Sequence, residues 1–140
     1  MPNGLRQIAI EIAREQGIRL HESGTIVVIQ GPRFSTKAES AWFTRNGWQV
    51  VGMTQYPEAI LSKELGMCYT GIALITDYDA GLVNSTGEAV SVEQVLKTLS
   101  GNNDRVKDLI LSMVAHLPAA VPAESCTCES EASLAVMNGA

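Results

Sequence analysis

Apolar residues at Leu5, Ile8, Ile12 and Ala13 recur at helical spacing, and Gly17 stops the pattern, so a helix is predicted over 5–16. The period then changes. Thr25-Ile26-Val27-Val28-Ile29-Gln30 is a β-branched run that reads as a buried strand. Pro32, with no amide hydrogen to donate, ends its pairing. Ser35 or Thr36 can cap a helix over 37–45, with Glu39 in the first turn and Asn46-Gly47 closing it. A short strand follows over 49–53. Pro57 is placed to be the first residue of a second helix that reaches about Leu65 and closes at Gly66.

Residues 68–76 read as a third strand, and 80–87 as a loop rich in Gly, Asn and Ser. Ser91 with Gln94 makes a capping-box start for a long helix through Val95, Leu99, Val106, Ile110, Met113 and Val114, with a break at Gly101-Asn102-Asn103. After Pro118 the composition shifts to Ala, Ser, Glu and Pro, which predicts a main domain over 1–118 and a flexible tail over 119–140. The strand–helix alternation predicts an α/β fold with a partly parallel sheet. Three strands are few for such a sheet, so it is expected to continue in something outside this chain.

Composition narrows the function classes. At 140 residues the chain holds one domain's worth of core, and 46% apolar with 18% charged residues are globular values. A formal net charge of −5, without clustered Lys and Arg, argues against a nucleic-acid partner. The apolar runs are too short to span a membrane, and the first residues lack the pattern of a secretory signal, so a cytoplasmic location is expected. Three cysteines do not make a disulfide framework. Cys68 reads as a buried hydrophobe. Cys126 and Cys128 form Cys-Thr-Cys, open to a redox pairing, and zinc is disfavoured because no His or further Cys is near in sequence.

Candidate chemistry gathers at three apolar-run ends: Gly31-Pro32-Arg33-Phe34-Ser35-Thr36, Gly52-Met53-Thr54-Gln55-Tyr56-Pro57-Glu58 and Thr76-Asp77-Tyr78-Asp79. In open α/β sheets ligands bind beyond the strand ends, so three consecutive ends equipped in this way indicate a small-molecule pocket. Ser35, Thr36 and Thr54 suit an anion, though Ser35 and Thr36 equally suit helix capping. Asp77 and Asp79, two apart, share a face if extended. They can act as proton donor and hydrogen-bond acceptor, bind a metal, or be two solvated loop residues. Phe34 and Met53 suit the faces of a flat ligand or sugar, or a core. Arg33, Lys37 and Arg45 read as surface or salt-bridging residues, and Glu58 lies near the second cluster. His21 and His116 read as structural. No nucleophile elbow, Walker loop or dinucleotide glycine pattern is present.

The run from Thr25 to Ser40, then Val51-Gly52-Met53-Thr54 with Pro57-Glu58-Ala59, then Thr76-Asp77-Tyr78-Asp79 resembles trimeric purine nucleoside phosphorylases, and within them the S-methyl-5'-thioadenosine phosphorylase branch. The resemblance covers roughly 21–117, and the first helix fits as well. It implies a three-layer α/β/α nucleoside-phosphorylase-like fold with a mixed central sheet, of which this chain is the C-terminal half. It also implies phosphorolysis of a purine nucleoside, with inorganic phosphate as co-substrate and no cofactor or metal. Ser35 and Thr54 would touch phosphate, Phe34 would pack on the purine and Met53 would lie under the ribose. Asp77 would donate a hydrogen bond or proton at purine N7, and Asp79 would meet the 6-amino group. The family's 6-oxopurine enzymes place Asn where Asp77 stands, which favours methylthioadenosine over inosine or guanosine. A homo-oligomer, trimer or hexamer, is implied as partner.

The front of the family pattern is unmatched. Members carry about as much chain again before this point, with a glycine-rich phosphate loop, an arginine-histidine phosphate motif and a residue reaching the neighbouring subunit's substrate. Besides a phosphorylase, the resemblance therefore leaves open a truncated, non-catalytic purine-binding or interaction fragment. Cys-Thr-Cys is similar to a feature of some thermophilic members, where it joins disulfides.

Overall fold

The computed structural model describes residues 3–79, 92–119 and 126–135. In chain order it places α1 (Asn3–Glu15), β1 (Ile26–Val28), α2 (Lys37–Arg45), β2 (Val50–Gly52), α3 (Glu58–Glu64), α4 (Val92–Ala115) and α5 (Cys128–Ala135). Two compact units can be distinguished: Met1–Leu20 with Tyr56–Ile72 and Val106–Ala140, and His21–Gln55 with Ala73–Arg105.

The first unit is helical. The inner face of α1 buries Ile12 and Ala13 against Leu109 of α4, with Ile8, Ile18, Leu20 and Met113 around them. Gln16 Nε2 donates to Ser112 Oγ at 2.9 Å on the same seam. No side chain described is fully buried, so this core is thin. Within the unit, α5 packs on α3 and its C-terminal turn. The composition of 119–140 predicts a tail without structure, yet Cys128–Ala135 is helical. Local contact accounts for the difference: α5 gains a neighbour in α3 that composition does not register.

The second unit holds the sheet. β1 and β2 pair in parallel, Ile26 opposite Val50, Val27 opposite Val51 and Val28 opposite Gly52. The ladder is extended by Ile29 N–H donating to the Gly52 carbonyl at 2.9 Å. The connection between them is α2, whose buried Ser40 and Phe43 face inward. Phe43 lies 5.7 Å from Trp42 and 6.1 Å from Trp48, ring centre to ring centre.

Three further sequence expectations change. Residues 67–76 adopt no regular structure. A run of strand formers becomes a strand only where a neighbour completes its hydrogen-bond ladder, and among the described residues none does. The described sheet is accordingly two-stranded and parallel. Second, α4 runs unbroken through Gly101-Asn102-Asn103. One interior glycine costs about 1 kcal/mol, less than burial of a leucine such as Leu109 returns. Third, Pro57 stands one residue before α3, as its N-cap. The loop over 80–87 and Ser91 lie outside the described residues.

The predicted helix stops hold. Gly17, Gly47 and Gly66 take φ of +65°, +69° and +68°. Around Gly66, its own N–H donates to the Lys63 carbonyl at 3.1 Å and the Met67 N–H to that of Ser62 at 2.9 Å, a Schellman closure. The two later stops differ in surroundings. A methyl group added at Gly47 would meet nothing within 4 Å, whereas one at Gly66 would sit 3.1 Å from Glu129 Cα in α5. Gly47→Ala is therefore expected to cost about 1–2 kcal/mol, the left-handed backbone penalty alone. Gly66→Ala should cost measurably more, because α5 must also give way. Urea denaturation of the two variants reads the difference, and equal costs would show that α5 does not rest on Gly66.

Candidate functional site

All six candidate site residues, Phe34, Ser35, Met53, Thr54, Asp77 and Asp79, belong to the second unit. Parallel pairing explains the first convergence. Because β1 and β2 run the same way and in register at Val28 and Gly52, the chain leaves both at the same edge of the sheet. Gly31 and Met53 meet there so closely that a Cβ on Gly31 would stand 2.9 Å from Met53 Sδ. Glycine at 31 leaves room for the Met53 thioether, which would have to shift if a side chain were added there, a role the sequence reading did not assign. A glycine just past a strand end is the signal that could have found it.

The next link comes from a division of labour at the start of α2. Sequence left Ser35 and Thr36 both eligible to cap the helix. Thr36 does so: its Oγ1 accepts from Glu39 N–H at 3.2 Å, and its own N–H donates to Glu39 Oε2 at 2.7 Å, a complete capping box. Ser35 is buried beside it, 8% exposed, and its Oγ donates to Asp79 Oδ1. The first and third clusters are thus joined by a hydroxyl–carboxylate hydrogen bond, the stronger, charge-assisted kind. A hydroxyl has a single proton. Committed to Asp79, Ser35 has only lone pairs left for another group, a poor match to the anion role expected for it.

The two aspartates take different partners. Asp79 is partly buried against Ser35, whereas Asp77 is exposed and its Oδ1 accepts from Thr76 Oγ1 at 2.6 Å. Phe34 is 73% exposed, so among the described residues it is not a core side chain. Met53 is 36% exposed and Thr54 is exposed, both at the end of β2.

Arg33 lies between Pro32 and Phe34 and forms a two-pronged ion pair with Glu39, Nη1 to Oε2 at 2.9 Å and Nη2 to Oε1 at 2.8 Å. Sequence reading placed Glu39 only in the first turn of the helix. It also fastens the loop carrying Phe34 and Ser35 to the first turn of α2. The Arg33 guanidinium foremost, and then the Thr36 amide, hold the Glu39 carboxyl down from 4.5 to about 2. Glu39 thus binds its proton less readily folded than unfolded. Its stabilising contribution is complete above about pH 4.5 and is lost as pH falls toward 2. Glu39→Gln should flatten the acid side of the stability profile in that window, as read by denaturant midpoints at successive pH values. An unchanged profile would mean the pair does not hold in solution.

With this geometry in place, comparisons with known proteins are informative. A family model described as the phosphorylase superfamily matches residues 1–115. A purine nucleoside phosphorylase of Streptomyces coelicolor is 48% identical over 118 residues, 84% of this chain and 41% of its own length. An S-methyl-5'-thioadenosine phosphorylase of Saccharolobus solfataricus is 41% identical over 127 residues, 90% of this chain and 46% of its own. Among solved structures, a double mutant of the adenosine/methylthioadenosine phosphorylase of Schistosoma mansoni, in complex with adenine, superposes with a TM-score of 0.80 at 31% identity. It covers 96% of this chain, and 52% of its own length is matched. The chain thus spans about half the length, or somewhat less, of the relatives it matches.

Proposed function

We propose that this chain, which belongs to the phosphorylase superfamily, forms the base-binding part of a site that cleaves S-methyl-5'-thioadenosine with inorganic phosphate. The observation that carries this reading is the convergence of three polar clusters, two of them at strand ends, through two contacts, Ser35 with Asp79 and Gly31 with Met53. Relatives whose names include methylthioadenosine phosphorylase support it.

In the proposed reaction the bond from the sugar C1' to purine N9 breaks and a bond from C1' to a phosphate oxygen forms. A proton at N7 makes the departing adenine neutral, and the products are adenine and 5-methylthioribose 1-phosphate. Asp77 is assigned to N7 and Asp79 to the 6-amino group. Phe34 offers its exposed ring to the purine face and Met53 its thioether to the ribose. Thr54 keeps the phosphate role, with the anion beneath a sugar that develops positive charge. Ser35 is reassigned: by donating to Asp79 it fixes the carboxylate that reads the amino group, acting as a positioning residue. Phosphate is a co-substrate and no cofactor is invoked. The complete enzyme is proposed to be a cytoplasmic trimer or hexamer; among the described residues, no helix is long and apolar enough to cross a membrane.

Relatives bearing both names, purine nucleoside and methylthioadenosine phosphorylase, match at similar identity, so overall likeness does not choose the base. Asp77 does, through the acid it presents to N7. Titration of the 140-residue chain with adenine and with hypoxanthine is the direct test, adenine binding being preferred. Asp77→Asn and Asp79→Asn should each weaken adenine binding about 10–100-fold, the scale of one charge-assisted hydrogen bond. Faster phosphorolysis of inosine than of methylthioadenosine would overturn the preference. Adenine binding with no phosphorolysis would favour the second reading, a non-catalytic purine-binding fragment.

A further inference from the structure

Three sulfur atoms converge in the first unit, whereas the residues assigned to the purine site belong to the second. Cys68 follows α3, Cys126 precedes α5 and Cys128 opens it, and all three sulfurs lie within 4.8 Å of one another. Cys68 Sγ is 2.9 Å from Cys126 Sγ, and the Cys128 amide donates to Cys126 Sγ at 3.4 Å. Each thiol is partly buried. Sequence spacing argued against a metal because no third ligand was near Cys-Thr-Cys; the fold supplies one from 58 residues away.

We propose that Cys68, Cys126 and Cys128 form a three-thiolate site for a thiophilic divalent cation, Zn2+, which fastens α5 to the turn after α3. The spacing suits it. Two thiolates on one zinc at about 2.3 Å each stand roughly 3.8 Å apart at the tetrahedral angle, so Cys68 and Cys126 need part by only about 1 Å. The electrostatics suit it as well. Cys126 is held below the ordinary thiol range, first by its hydrogen bond with Cys68 and then by the Cys128 amide. Cys68, pushed up to about 12 mainly by that same hydrogen bond, gives up its proton when the cation takes its place. Glu131, one turn into α5, adds negative charge near Cys126 and Cys128 that opposes further thiolates unless a cation compensates them. A disulfide would engage only two of the three sulfurs. A tetrahedral cation engages all three and keeps its fourth position for a small exogenous ligand such as water.

The test uses the full 140-residue chain, freshly reduced, titrated with Co2+ as a spectroscopic stand-in and then with Zn2+. The expected result is equimolar binding, with thiolate-to-cobalt charge-transfer bands in the near ultraviolet and tetrahedral d–d bands, both displaced by Zn2+. Cys68→Ser, Cys126→Ser and Cys128→Ser should each weaken Zn2+ binding by at least about tenfold, since even outer-shell partners of a metal matter on that scale. Zinc should also slow amide exchange over 128–135, a readout that does not depend on the serine variants folding. The proposal fails if Co2+ gives no thiolate bands. It also fails if Cys68→Ser binds as tightly as the parent, which would leave only a local Cys-Thr-Cys chelate. A Cys68–Cys126 disulfide that forms in air and persists in the presence of Zn2+ would equally overturn it.

Discussion

The parallel register of β1 and β2 is the constraint on which the candidate site depends. Parallel strands deliver their C-terminal ends to one edge, so two clusters 22 residues apart, counted from Gly31 to Met53, arrive together. An antiparallel pair would send them to opposite edges, and a register shift would move Met53 off Gly31. The ladder is short, Ile26–Val28 with Val50–Gly52, and its residues are half-buried or exposed. Its hold is reinforced from outside the ladder by the Thr25 amide on Gln49 Oε1 at 2.7 Å.

Much of this was legible in the chain. Helix ends were read well because their causes are local: Gly17, Gly47 and Gly66 each adopt the positive φ that glycine alone accepts cheaply. The ends of β1 and β2 and their polar clusters were also readable, because the change from β-branched run to polar residues is itself a sequence signal. What failed were features that need a distant partner. Residues 67–76 have the composition of a strand but no ladder neighbour among the described residues. Gly101 suggested a break that packing around Leu109 outweighs. In the tail, Cys128–Ala135 forms a helix because α3 is there to receive it, a contact no composition records.

Function was legible to different depths at different residues. Motif order identified the family, but it could not say which of two adjacent hydroxyls did which task. Ser35 and Thr36 are chemically alike, and only geometry shows that one holds the helix and the other holds Asp79. Cys68 was misread for the complementary reason. It sits in an apolar run and looks like packing until Cys126 is placed beside it. The Arg33–Glu39 pair lies between these cases, since both residues were noticed but their union was not.

The capping box at Thr36 has an evolutionary consequence. Since Thr36 and Glu39 start α2 without help from Ser35, the two neighbouring positions answer to separate tests. Position 36 is answerable to helix geometry, and position 35 to its hydrogen bond with Asp79. Descendants of this sequence can therefore vary the contact made at 35 without first surrendering the capping box that starts the helix carrying the loop.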